Sequence, residues 1–280
     1  MGNPVAPVVQ YREEYVASFE QNYSLLKVGT VRETVIKGNQ AVFLVAGSGG
    51  AAAVTRGSNG QIPYKTVSNT QNTCTMTETH APFEMTGFDI FSNQGDQKRI
   101  MMNASQAVLH RDIDQKIIDV LDTATLTTGT AVTGSLDLVV KARTILGNNE
   151  VDLTQEDKIF AAITPAFEGY LLQVKEFGSA DYVEVKPLIG PARRMRRWAG
   201  VNWMVHPNLT GVGTSSESCY MWHQDALGHA SNVAEMMVDA GYERKQQVSW
   251  TNATLYHGAK LLQNTGIIKM VHDGSAYVSS

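Results

Sequence analysis

The feature that most limits what this chain can become is a ribbon with nothing to lie on. Residues 41–46, AVFLVA, read as a strand. Residues 73–90, TCTMTETHAPFEMTGFDI, are Thr- and aromatic-rich with near-alternation, which is the chemistry of a second strand. Between them GSGGAAAVTRGSNGQ is a stretch of Gly, Ala and Ser with little to put into a core. Two extended runs around such a tip predict a long hairpin over residues 39–90. A two-stranded ribbon is marginal in water unless something packs against it. The missing cover points to another subunit.

Residues 96–123 carry the strongest helical pattern. Leu109, Ile113, Ile117 and Val120 recur at intervals of four, four and three, with Ala104, Val108 and Leu121 broadening the stripe. Arg111, Asp112, Asp114 and Asp119 are expected on the other faces. Upstream, Tyr11, Tyr15, Phe19 and Tyr23 recur every four residues beside Glu13, Glu14 and Glu20, which predicts a helical stretch with one aromatic stripe. That stripe packs either on its own domain or on a neighbouring subunit.

The remainder alternates helix and strand. LDLVVKARTIL (136–146) is helical in pattern and closes on Gly147-Asn148-Asn149. KIFAAIT (158–164) predicts a short buried strand, and Pro165 opens a helix over AFEGYLLQVKEF, where its missing N–H does no harm. Three strand-like runs follow: RWAGVNWMVHP, SCYMWHQ and YERKQQVSW. HQDALGHASN is expected to break that series as a short helix or turn, and IIKMVH near the end reads as a strand. Helices and strands are interspersed without a regular βαβ series, so the fold class is α+β.

Chemistry is hard to place on this chain. GSGG (47–50) is not followed by the Lys-Ser/Thr of a phosphate-binding loop or by an amphipathic helix. There is no G-x-S-x-G, no HExxH and no HxE…CxxC. His223 and His229 flank Asp225, but no pair has the helical i, i+4 spacing of a zinc enzyme. Cys74 and Cys219 lack metal-binding spacing and read as buried small hydrophobes. No catalytic residue, cofactor or metal is assigned.

Arg193, Arg194, Arg196 and Arg197, with Lys186 and Trp198, form one dense basic cluster. A strand-binding site for nucleic acid is one reading of it. A charged face paired to carboxylates of the same or an adjacent subunit is the other, favoured by a net charge of −4. No stretch reaches the ~20 apolar residues of a membrane span. The first residues lack a basic start and apolar run, so a chain made in the cytoplasm is expected.

The order of these parts resembles the Hong Kong 97-type capsid fold of tailed bacteriophages. GNQAVFLVAG (38–47) with its Gly-rich tip and Thr-rich return looks like the extended loop of short-tailed phage coat proteins. DQKRIMMNASQAVLHRDIDQKIIDVL (96–121) looks like their spine helix, and FAAITPAFEGYLL (160–172) like the entry to the axial domain. MWHQDALGHA (221–230) and GYERKQQVSWTNATLYHGAKLLQNTGIIKMVHD (241–273) resemble the closing strands. The resemblance spans nearly the whole chain.

It implies a division into an N-terminal arm (1–36), an extended loop (37–92), a spine helix and peripheral domain (93–135), a mainly axial domain (136–245) and returning peripheral strands (246–280). It further implies a major capsid protein, not an enzyme, forming hexamers and pentamers of an icosahedral virion shell around double-stranded DNA. Its partners would be copies of itself, portal and scaffolding proteins, cement proteins in some relatives, and packaged DNA by non-specific proximity, with no membrane. Candidate subunit contacts are Tyr11, Tyr15, Phe19, Tyr23, Arg193, Arg194, Arg196 and Arg197. The alternatives are an encapsulin-type nanocompartment shell, a nucleic-acid module built on the basic cluster, and an unrecognised hydrolase.

Overall fold

The computed structural model describes residues 23–92, 96–175 and 195–277. In chain order, β1 (Val31–Val35) precedes the hairpin strands β2 (Gln40–Gly47) and β3 (Ser68–Thr75), then β4 (Thr77–Thr86) and the short helix α1 (Gly87–Ser92). The long helix α2 (Gln97–Asp122) leads to β5 (Val132–Thr133), α3 (Leu136–Asn148), β6 (Ile159–Ile163) and α4 (Pro165–Leu172). After these come β7 (Arg196–Trp198), β8 (Val201–Val205), β9 (Glu217–His223), β10 (Leu227–Glu243), β11 (Val248–Leu261) and β12 (Ile267–Asp273).

Two compact units emerge. One takes in Thr79–Arg111 and Met236–Leu255, the other Ser24–Glu78, Asp112–Glu235 and Tyr256–Ser280. In the first, Ser105 on α2 bonds back to the Met101 carbonyl at 3.0 Å and meets the Thr251 hydroxyl at 3.4 Å. His80 Nδ1 sits 2.9 Å from Thr254 Oγ1, and the Trp250 ring packs so tightly on Gly241 that a Cβ there would lie 2.6 Å away.

The second unit is built on a six-stranded sheet in the order β5-β12-β9-β6-β8-β7. β6 lies at its heart, parallel to β8 and antiparallel to β9, and every residue of its IFAAI run is buried. An unbroken apolar run is what a strand covered on both faces requires. Its two helices start where their caps dictate. Ser135 accepts from the Leu138 N–H to open α3, and Thr164 accepts from the Phe167 N–H to open α4, with Pro165 at the first helical position. Leu138, Val139, Ala142 and Leu146 of α3 and Phe167 and Leu171 of α4 then meet Ile159, Ala161, Ile163, Trp203, Cys219, Met221, Ile268 and Met270 from the sheet. Elsewhere in this unit the Trp222 ring stacks on Phe160 and closes over Gly29, whose carbonyl accepts the indole N–H at 2.7 Å.

The hairpin belongs to the same unit. β2 and β3 pair antiparallel from Gln40↔Thr75 to Gly47↔Ser68, and residues 48–67 form the tip. Alternation splits the ribbon: Ala41, Phe43 and Cys74 are buried in a small cluster with Ala230, while Val42 and Leu44 are exposed. The base seats on two glycines. A Cβ at Gly228 would lie 3.0 Å from the Phe43 ring, and one at Gly258 only 2.6 Å from the Thr75 carbonyl.

Several expectations need correction. The return strand begins at Ser68, not near 73, and residues 77–86 leave the ribbon to join a four-stranded sheet in the order β1-β10-β11-β4. The hairpin is therefore shorter than 39–90, and its base is covered within the chain. The run YERKQQVSW is two strand ends and a turn, with Gln247 at φ 54° between β10 and β11. The break expected over HQDALGHASN is confined to a turn at Gln224–Ala226, and β10 begins at Leu227. On α2, Leu109, Ile113 and Ile117 are buried with Ile118 and Leu121, whereas Val120 is only half-buried. Asp114, expected on an outer face, is 1% exposed.

Candidate functional site

One constellation has the composition of a nucleophilic triad. Cys219 Sγ on β9 lies 3.8 Å from His272 Nδ1 on β12, and His272 Nε2 lies 3.1 Å from Glu217 Oε2 and 3.2 Å from Thr164 Oγ1. The chemistry does not follow. Cys219 and His272 are fully buried, Glu217 is nearly so, and burial pushes the Cys219 thiol up to about 12. A nucleophilic cysteine needs a lowered pKa and an approach for substrate. These groups tie the cap of α4 to β9 and β12. The Glu217 carboxylate also accepts the Gly213 N–H at 2.7 Å, holding the loop before β9.

The carboxylates of α2 act in the same way. Asp114 accepts from the Leu25 and Leu26 N–H groups, both at 3.1 Å, and from Ser24 Oγ, and it lies 3.2 Å from His206 Nε2. A buried carboxylate is tolerable only when surrounded by donors, and these supply them. Asp122 takes Tyr220 OH at 2.6 Å, Thr210 Oγ1 and Lys269 Nζ at 3.0 Å. Burial opposes its charge, yet these donors together hold its carboxyl below the usual range. Nothing in the pattern of α2 marked Asp114 as a fastening point.

The remaining candidate is a surface. Outward from its base the hairpin presents Val42 and Leu44, the latter at 72% exposure, and its tip adds Val54, Ile62, Val67 and Tyr64, the last at 95%. Local bonds shape the tip: Gly57 N–H to Gln61 O at 2.8 Å, Arg56 to Gly60 O at 2.9 Å, Lys65 to Ala52 O at 3.2 Å. Large apolar residues left exposed on a projecting ribbon are characteristic of an interaction surface.

The candidate contact residues divide. Tyr11, Tyr15, Phe19, Arg193 and Arg194 lie outside the described residues. Tyr23 stands at the surface, 36% exposed. Arg196 and Arg197 are adjacent on β7 and engage different elements: Arg196 bonds Glu168 of α4 at 3.0 Å, whereas Arg197 bonds Glu156 at 2.6 Å and Asp157 at 3.1 Å. Successive strand residues face opposite ways, so these two do not form one basic patch. Both are paired within the chain, which removes the cationic platform that a nucleic-acid site would need from them. Among the described residues no cluster of His, Cys, Asp and Glu is arranged to hold a metal ion.

A family model described as phage capsid protein matches residues 4–273 of the chain. No curated protein matches it in sequence. Solved structures match it over nearly its full length. A structure titled Mycobacterium phage Che8 superposes with a TM-score of 0.72 at 16% identity, covering 96% of this chain and 98% of that one. The capsid of Ralstonia phage GP4 gives 0.69 at 10% identity, covering 100% and 98%. The capsid of cyanophage P-SCSP1u gives 0.68 at 12% identity, covering 95% and 92%. At such identities the likeness is one of fold.

Proposed function

Since the chain belongs to the phage capsid protein family and has the α+β Hong Kong 97-type fold, we propose that it is the major coat subunit of a tailed-phage head, assembling as hexamers and pentamers into an icosahedral shell around double-stranded DNA. The observation that carries this reading is the two-faced hairpin. Its base is packed on Gly228, Ala230 and Gly258, while Val42, Leu44 and the tip residues Ile62, Tyr64 and Val67 are left uncovered. A second copy of the chain is the natural cover, because a closed shell repeats one contact in every subunit. The aromatic residues Phe88 and Phe91 of α1, at 76% and 87% exposure, offer a further apolar surface for the same purpose.

In this reading residues 1–36 are the arm, residues 37–92 the extended loop, residues 93–135 the spine helix and peripheral domain, residues 136–245 mainly the axial domain, and residues 246–280 the returning peripheral strands. Tyr11, Tyr15, Phe19 and Tyr23 would pack across a subunit boundary, and Arg193, Arg194, Arg196 and Arg197 would line contacts between subunits or a solvated face. Portal and scaffolding proteins follow as assembly partners, with synthesis in the host cytoplasm. Enzymatic activity has no part in it.

Electron microscopy of the purified full-length chain tests the reading. Closed shells or curved hexagonal lattices are the expected product. A uniform population of monomers or small oligomers under all assembly conditions would overturn it. Particle contents then separate a genome container from an enzyme-loading compartment.

A further inference from the structure

Two buried histidines lie beneath the seat of the hairpin. Gly228, Ala230 and Gly258 carry the hairpin base, and side chains alternate along β10 and β11, so His229 and His257 belong to the opposite face of these strands. On that side the rings lie 5.6 Å apart at 42°, and His257 Nε2 meets Asp112 Oδ2 of α2 at 2.8 Å. Both ring nitrogens of His229 and the Nδ1 of His257 are buried without a hydrogen-bond partner. A neutral imidazole always carries one N–H and one acceptor, so His229 leaves both unsatisfied.

The surrounding charges make a proton unwelcome at His229. Lys116 and Asp112 come from α2, 3.6 Å apart. Lys27 comes from the turn before β1, and Arg32 stands in register with His229 on β1. His257 faces it from β11, and Cys74 on β3 and Lys260 on β11 complete the neighbourhood of the seat. Asp112 is the carboxylate in this set, and its charge is already committed to His257 and Lys116. A proton on His229 would therefore add a buried charge among cations, without a counter-ion of its own.

We propose that His229 and His257 form an acid-sensitive latch that keeps the hairpin base seated on β10 and β11 and releases it when they are protonated. The sign follows from linkage. Burial, then the neighbouring His257, holds His229 down to about 3 from an ordinary 6.5. Burial also lowers His257, against the pull of Asp112. The native state thus favours the neutral rings, so the latch is at full strength above about pH 6.5 and weakens as pH falls toward 3. The hairpin opens first because its cluster is small, whereas the six-stranded sheet has a core of its own. The latch rests on the coat reading only for its consequence, that acid frees the element joining copies of the chain.

Hydrogen exchange of full-length unassembled subunits between pH 7 and pH 5, corrected for the intrinsic pH dependence of exchange, tests the latch. Protection over residues 40–47 and 68–75 should fall at least about tenfold, one pKa unit's worth, while residues 159–163 and 219–223 keep theirs. H229F, which keeps a ring but cannot titrate, should lessen the fall in hairpin protection and leave only the part due to His257, and H229M gives a second variant that cannot titrate at this position should the larger ring not fit. Hairpin protection that is flat with pH in the wild type, or that falls equally in the folded variants, overturns the proposal. Microscopy at neutral pH is scored separately: shells with a pH-indifferent hairpin would sink the latch and keep the coat reading.

Discussion

The six-stranded sheet and the hairpin belong to one compact unit, yet they solve burial in opposite ways. The sheet closes on itself: β6 is apolar along its whole length, and α3 and α4 supply matching side chains. The hairpin is half-closed. One face of its base contributes Ala41, Phe43 and Cys74 to a four-residue buried cluster, and the other face ends in water. The difference teaches where the free energy of this chain is spent. A region that buries its apolar area internally stabilises the subunit, whereas a region that leaves it exposed has that area available for association.

The largest way to break that contrast lies in the sheet. Trp222 is fully buried against Phe160 and Gly29, so Trp222→Ala should lower subunit stability by about 3–5 kcal/mol in denaturant unfolding. A loss under 1 kcal/mol would mean that this sheet is not the stabilising centre. Phe43→Ala should have a smaller effect, about 1–3 kcal/mol, because the cluster around it is small. Its signature is local: exchange should rise in β2 and β3 while β6 and β9 hold. Equal loosening of both regions would show that base and sheet unfold as one.

Much of this was legible in the sequence, and the failures have physical causes. The α2 helix announced itself through Leu109, Ile113 and Ile117, and α4 through Thr164-Pro165, because these signals act within one or two turns of chain. β10 was missed over nearly all its length: its first residues were expected in a helix or turn, and only Tyr242 and Glu243 at its end fell in a strand-like run. Its LGHASNVAEMMVDAGYE run is poor in β-branched residues, and it is extended because β1 and β11 flank it. Asp114 was unreadable for a similar reason. Its donors come from Ser24 to Leu26, about ninety residues upstream, and from His206, as far downstream. The basic cluster was visible as charge, but its partners Glu168 and Glu156 were not, and they divide Arg196 from Arg197. The hairpin was visible as two extended runs around a Gly-rich tip. That its base is covered within the chain was not, since Gly228 and Gly258 carry no signal of what rests on them.

Two further substitutions sharpen the contrast from its exposed side. Leu44→Asp alters a solvated position, so the melting of the free subunit should shift by no more than about 0.5 kcal/mol in stability while assembly measured by light scattering is blocked. Unchanged assembly would make the exposed face decoration. Arg197→Ala should change stability least, by about 0–1 kcal/mol, since Arg197 and its partner Glu156 are each about half exposed. A much larger loss in calorimetry would place this pair in the fold's foundation and not on its surface.

The hairpin tip gives the most direct measurement. A variant lacking Ser48 to Gly60 and carrying Ile62→Ser and Tyr64→Ser removes Val54, Ile62 and Tyr64 from the uncovered tip and leaves the paired strands and their seat on Gly228 and Gly258 intact. Thermal unfolding and electron microscopy of this variant beside the wild type read the two regions separately. The account predicts a subunit that melts with the wild type but yields no closed shells under conditions where the wild type forms them. Normal shells from the shortened chain would contradict the claim that the hairpin joins one copy to the next.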